Sequence, residues 1–146
     1  MTVSIVIPAY NEELVISRIL DQLLNLQEVD EIVVVDDGST DKTGEIVKAY
    51  ADQHVVLVQH PYNIGNGAAV KSGIRKASGE IIVLMDADGQ HPPEEIPKML
   101  PYLEQYEMVV GARSLGTVSS WWRNFANNVF NFYASYLVGY PVRDLN

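Results

Sequence analysis

Two acidic pairs, Asp36-Asp37 and Asp86-Ala87-Asp88, each close a run of apolar residues. The first follows Ile32-Val33-Val34-Val35 and the second follows Ile81-Ile82-Val83-Leu84-Met85. Uninterrupted apolar runs of this length read as strands buried on both faces. In an open parallel sheet the ligand crevice lies at the carboxyl ends of the strands. Carboxylates at that edge are hard oxygen ligands suited to Mg2+ or Mn2+, ions that are commonly shared with substrate phosphates. The competing reading is that Asp86 and Asp88 cap the helix that follows, and that Asp36 and Asp37 are solvated turn acids.

The elements needed to position these acids are legible along the chain. A first strand over 3–8 stops at a proline, and Asn11 is placed to cap a helix whose apolar residues Ile16, Ile19, Leu20, Leu23 and Leu24 recur at helical spacing. The second strand covers 31–37, ending in its two carboxylates. Gly38-Ser39-Thr40-Asp41 then turns the chain into a helix reaching about residue 51. A third strand covers 55–59, a loop 60–67, a third helix ends at Ala77, and the fourth strand closes on Asp86. Pro97 and Pro101 make the helix after Pro92-Pro93 short or kinked. A fifth strand is expected over 107–112, ending at Arg113, and an aromatic-rich helix from Trp121 to about Gly139. Strands alternating with helices of about ten residues imply parallel pairing through right-handed crossovers. The fold class is therefore α/β: an open, mostly parallel sheet with helices on both faces. Pro8 to Glu12, Asp36-Asp37, Asp86/Asp88 and Arg113 then end four strands at one edge, which capping alone explains poorly.

Other chemistries fit less well. Gly65-Asn66-Gly67 lacks the third glycine of a dinucleotide fingerprint, because Val70 stands there, which disfavours a nicotinamide oxidoreductase. Lys71-Ser72-Gly73 has the wrong order for a P-loop, and no Gly-x-Ser-x-Gly elbow exists. The chain has no cysteine, so thiol nucleophiles and zinc-thiolate sites are excluded. His54, His60 and His91 show no metal-ligand spacing. A formal net charge of −9 argues against binding a nucleic-acid backbone, and an acidic chain that holds a polyanion needs a cation between them or a few placed arginines. With 47% hydrophobic and 20% charged residues, the chain is globular rather than disordered. No basic leader and no apolar stretch of about 20 residues is present, so a cytoplasmic setting is expected. Trp121, Trp122, Phe125, Phe130 and Tyr133 lie on the expected aromatic helix. Such a stripe serves a core, a homo-oligomer contact or a peripheral membrane surface.

Together, Val-Ile-Pro-Ala-Tyr-Asn-Glu at 6–12, Val-Val-Asp-Asp-Gly-Ser at 34–39, Asn-x-Gly-x-Gly at 63–67, Met-Asp-Ala-Asp at 85–88 and Gly-Ala-Arg at 111–113 resemble the family-2 glycosyltransferases of the GT-A fold. The segment Asp86 to Glu94 looks most like the dolichol- or polyprenyl-phosphate sugar transferase branch. The resemblance implies a fold of the nucleotide-diphospho-sugar transferase type in one domain over 1–146. It also implies a chain that continues past Asn146 into acceptor-side elements. By position, Pro8, Tyr10, Glu12, Val35 and Asp37 would hold the nucleoside of a UDP- or GDP-sugar donor. Asp86, Asp88 and Gln90 would hold Mg2+ or Mn2+ at the diphosphate, with Ala87 between the acids lining the donor site. Arg113 would bind phosphate and, with Asp88, assist departure of the nucleoside diphosphate. Asn66 stands where some relatives place a larger or basic residue. The implied reaction is inverting transfer to a polyprenyl or dolichyl phosphate at the cytoplasmic face of a membrane. The alternatives are transfer to a saccharide hydroxyl in cell-surface polysaccharide synthesis and a non-catalytic nucleotide-binding module.

Overall fold

The computed structural model describes residues 1–51 and 53–111. Contacts divide the chain into one unit over Met1–Glu104, which carries the sheet, and a second over Gln105–Asn146. In the first unit, strands β1 (Val3–Ala9), β2 (Glu31–Asp36), β3 (Val55–Gln59) and β4 (Ile81–Leu84) alternate with helices α1 (Ile16–Leu24), α2 (Thr43–Lys48) and α3 (Asn66–Lys76). After β4, a 3-10 turn at Pro93–Glu95 leads into the single turn of α4 (Ile96–Met99) and a second 3-10 segment at Leu100–Glu104. Pro97 and Pro101 account for that broken path, since neither donates to a helical ladder.

All pairings are parallel and the strand order is β3-β2-β1-β4. Side-chain alternation sorts the strands into two faces. Val3, Ile5, Ile7, Ile32 and Val34 share one cluster with Ile16, Ile19, Leu20 and Leu23 of α1, Val47 of α2 and Ile96 of α4. Val6, Val33 and Val35 share the other with Ala69 of α3. The first two crossovers step outward over one face. The third returns over the opposite face to reach β4, so all three have the same hand. Full burial of the four α1 side chains contributes about 1.5–3 kcal/mol each, which holds the β1–α1 connection in place.

Glycine sets the closeness of α3. A Cβ on Gly73 would collide with Val6 Cγ1 and lie 3.1 Å from Val35 Cγ2, so the helix axis sits lower on β1 and β2 than any larger residue permits.

Four expectations about elements need correction. β4 is not a strand buried on both faces: among the described residues it is an edge strand, and Ile82 and Leu84, on the α3 face, are exposed. An apolar run does not reveal whether a neighbour covers it. The expected fifth strand is absent over 107–111, where Met108 and Val110 are exposed, so the apolar residues there have no covering layer to favour a strand; Ala112 lies outside the described residues. Asn11 does not cap α1, whose N-cap is Val15. Its backbone takes φ 56°, and its side chain turns to a neighbouring loop. The second helix is shorter than expected and ends at Lys48. The aromatic stretch from Trp121 lies outside the described residues.

Candidate active site

The loops after β1 and β2 are tied together at the carboxyl edge. Asn11 donates its amide N–H to Ser39 Oγ at 3.0 Å and accepts at Oδ1 from the Thr40 amide at 2.8 Å. The fully buried Thr43 hydroxyl accepts from the Glu12 amide at 2.8 Å and donates to Asp41 Oδ1 at 2.6 Å. Asp41 Oδ2 takes the Glu13 amide at 3.1 Å. Burial pushes the Asp41 carboxyl up, but its hydrogen bonds from Thr43 and Glu13 outweigh that and hold it below the usual carboxylate range. These bonds fix the backbone of residues 10–13, and with it the direction of Tyr10 and Glu12.

The neighbouring acids Asp36 and Asp37 have different work, because successive residues of a strand face opposite sides. The register places Asp36 level with Gln59. On the α2 face, Asp36 accepts from Gln59 Nε2 at 3.1 Å and from the Ser39 amide at 2.9 Å. A Cβ on Gly44 would come within 2.6 Å of Asp36 Oδ2, so the carboxylate is enclosed and serves the turn. Asp37 turns to the α3 face. There it accepts from His60 Nδ1 at 2.6 Å, from the Ile64 amide at 3.0 Å and from the Gly65 amide at 2.8 Å. Burial pushes its carboxyl up, but the bonds from His60, Ile64 and Gly65 prevail and hold it below the usual range, so Asp37 is ionised at neutral pH. Gly38, at φ 72°, lets the chain pass against the Tyr62 backbone, where any side chain would collide.

Asp37 lines a cleft of about 280 Å3 together with Pro8, Ala9, Tyr10, Glu12, Asn63, Asn66 and Ala69. Tyr10 is 44% exposed and presents its ring at this opening. Gly65, at φ 109°, opens α3 with no side-chain cap, and a Cβ there would meet open space. The positive end of the α3 dipole therefore borders the cleft. Of the five expected nucleoside residues, Pro8, Tyr10, Glu12 and Asp37 come together. Val35 does not join them by its side chain, which is fully buried beneath α3.

Past β4, Met85 and Ala87 bury their side chains in the α1-face cluster, while the Asp86 side chain stays 60% exposed. His91 Nε2 lies 3.8 Å from Asp86 Oδ2. Asp88 Oδ1 accepts the Gln90 amide at 2.8 Å, and Gly89 completes the turn at φ 70°. The 3-10 turn that follows has no side-chain cap, so neither aspartate caps it. Burial, then repulsion from Asp88 and from Asp41, pushes the Glu12 carboxyl above the usual range. The β1 and β4 tips thus concentrate negative charge in one place. A divalent cation fits this donor set: the oxygens are hard, and a cation would relieve the repulsion on Glu12. Among the described residues no three acids or histidines converge as a ligand cluster. Mg2+-like ions tolerate that, since they usually bind through one or two carboxylates and complete their shell with water and substrate phosphate. Gln90 lines a second cavity with Arg18, Gly89 and His91. Arg113 lies outside the described residues.

His60, Asn63 and Ser72 were not singled out from the sequence as site residues. For His60 a signal existed. It directly follows β3, so the register that pairs Asp36 with Gln59 sets Asp37 beside His60.

Known proteins resemble this chain in sequence and in fold. The undecaprenyl-phosphate 4-deoxy-4-formamido-L-arabinose transferase of Proteus mirabilis is 35% identical over 136 residues, covering 88% of this chain and 42% of the relative. The chain therefore spans less than half the length of that relative. The mannosyltransferase PcManGT from Pyrobaculum calidifontis, solved with GDP-Man and Mn2+, superposes with a TM-score of 0.63 at 32% identity over 69% of this chain and 32% of that one. S. aureus TarS 1-349, solved with UDP-GlcNAc, gives a TM-score of 0.64 at 27% identity over 82% of this chain and 38% of that one. The fold is thus of the GT-A type expected from the motifs. The family model "Glycosyl transferase family 2" matches residues 4–144, which with these likenesses makes the chain a member of glycosyl transferase family 2.

Proposed function

We propose that this chain carries the donor-binding part of an inverting glycosyltransferase that moves a sugar from a UDP- or GDP-linked donor to a polyprenyl phosphate. The observation that supports the reading most is the Asp37 carboxylate. It is ionised, held by three N–H donors, and set at the wall of a cleft that Glu12 also lines, and the charge of Asp88 at the β4 tip acts on Glu12.

Asp37 would accept an N–H from the base, and the Tyr10 ring would offer it a flat apolar surface. Glu12, fixed through its amide by Thr43, would face the ribose hydroxyls. The β-phosphate would then fall towards Asp86 and Asp88. A divalent cation held there supplies, when bound, neutralisation of the negative charge that develops on the departing nucleoside diphosphate. Arg113 is proposed as a second source of positive charge for that group. In the transfer, an acceptor oxygen forms a bond to the anomeric carbon from the face opposite the diphosphate. The bond to the diphosphate oxygen breaks with its electron pair, which inverts the centre. A phosphate monoester, with a second pKa near 6, is already ionised at neutral pH, so this acceptor requires no strong general base. That fits the described residues and the polyprenyl-phosphate acceptor in the name of the Proteus relative.

No helix among the described residues is long and apolar enough to cross a membrane. A lipid-phosphate acceptor would bring the chain to the cytoplasmic face of one. Incubating the full-length protein with labelled sugar nucleotide and either undecaprenyl phosphate or an oligosaccharide chooses between acceptors. Label should move into the lipid fraction. Label in the oligosaccharide alone, or none in either, contradicts the reading.

A further inference from the structure

The cleft wall contains a hydrogen-bonded row running from β2 to α3. His60 Nδ1 meets Asp37 Oδ1 at 2.6 Å, and His60 Nε2 meets Ser72 Oγ on α3 at 2.9 Å. Both side chains of the first contact are enclosed, at 10% exposure for His60 and 4% for Asp37. The His60 amide also donates to the Asp36 carbonyl at 2.9 Å, extending the β2–β3 ladder and fixing the His60 backbone beside Asp37. An ionised carboxylate only accepts. Nδ1 must therefore carry a proton, and in the neutral ring the Ser72 hydroxyl donates to Nε2.

Counting acceptor positions gives this row a consequence. Each carboxylate oxygen offers about two lone-pair sites. On Oδ1 both are taken, by His60 and by the Ile64 amide. On Oδ2 one is taken, by the Gly65 amide. One acceptor position remains for a ligand. Uracil presents a single imide N–H between two carbonyls. Guanine presents two adjacent donors, a ring N–H and an amino group, which match a carboxylate with both oxygens free.

We propose that His60 is a positioning residue that sets base specificity: by occupying Asp37 Oδ1 it leaves one acceptor site, which favours a uracil nucleotide over a guanine nucleotide. The inference rests on the donor-site reading above and adds the base to it. His60 itself touches no reacting atom.

The test uses full-length protein and calorimetric titration with UDP and with GDP in Mn2+, for wild type, His60→Leu, His60→Asn and Ser72→Ala. The wild type should bind UDP about tenfold or more tighter than GDP, the scale of one unmatched charged hydrogen bond. His60→Leu should bring that ratio close to one. His60→Asn, whose amide can replace Nδ1, should restore most of it, whereas a purely structural role would lower both affinities together. Ser72→Ala should change the ratio less than His60→Leu does. Equal UDP and GDP binding by the wild type, or an unchanged ratio in a folded His60→Leu protein, overturns the inference and leaves the donor-site reading standing. Binding of neither nucleotide overturns both. If His60→Leu does not fold, the 15N spectrum of wild-type His60 decides: a proton on Nδ1 is required, and an unprotonated Nδ1 refutes the assignment.

Discussion

Replacing Asp37 with asparagine tests the site's geometry with a change of one atom. The carboxylate accepts three N–H donors on two oxygens. An asparagine amide has one oxygen and one NH2. Its best orientation keeps the oxygen towards His60 and Ile64 and points the NH2 at the Gly65 amide, so two donors face each other. One charge-assisted hydrogen bond is lost, worth about 1.5–3 kcal/mol, and the Gly65 N–H is left without an acceptor at a cost of about 1–3 kcal/mol. These terms overlap, so the expected loss at neutral pH is about 3 kcal/mol. For a chain of this size that lowers Tm by roughly 6–12 °C.

The pH dependence has a definite sign. The folded Asp37 carboxyl is held below its unfolded value, so its stabilisation is complete above the unfolded pKa and is lost as pH falls through the folded one. The gap between wild type and Asp37→Asn should therefore be constant near neutrality and close below about pH 4. Thermal melts followed by circular dichroism between pH 7 and pH 3 measure it. A variant with wild-type Tm at pH 7, or a gap that stays open in acid, refutes the reasoning.

Three further outcomes follow from the packing and the loop contacts. Thr43→Val removes the hydroxyl shared by the Glu12 amide and Asp41; a loss of about 1–3 kcal/mol in denaturant unfolding is expected, with weaker nucleotide binding by titration. Gly73→Ala forces a methyl into Val6 and Val35. Overpacking costs about 1–3 kcal/mol against up to about 1 kcal/mol regained in helix propensity, so denaturant midpoints should fall. Asp88→Ala should abolish the part of nucleotide affinity that depends on Mn2+, seen as equal titrations with and without the ion.

The sequence made the sheet legible because β1 and β2 really are buried on both faces, and their apolar runs say so directly. β4 carries the same kind of run, yet Ile82 and Leu84 are exposed among the described residues. A run reports residue type and not the presence of a covering neighbour. The acidic strand tips were also readable, but the difference between Asp36 and Asp37 was not, since it depends on which face each residue meets. Asn11 illustrates a competing preference: asparagine suits both a helix N-cap and a left-handed backbone, and here the second prevails. His60 looked isolated because its partners lie 23 and 12 residues away. Only the β2–β3 register brings the first of them alongside.

We propose that acids at the adjoining tips of β1 and β4 hold a divalent cation through which this negatively charged chain grips a sugar diphosphate. Calorimetric titration of the full-length protein with a UDP-sugar, in Mn2+ and then in excess chelator, addresses it most directly. Binding should be about tenfold or more tighter in Mn2+. Equal affinity in the chelator would contradict it.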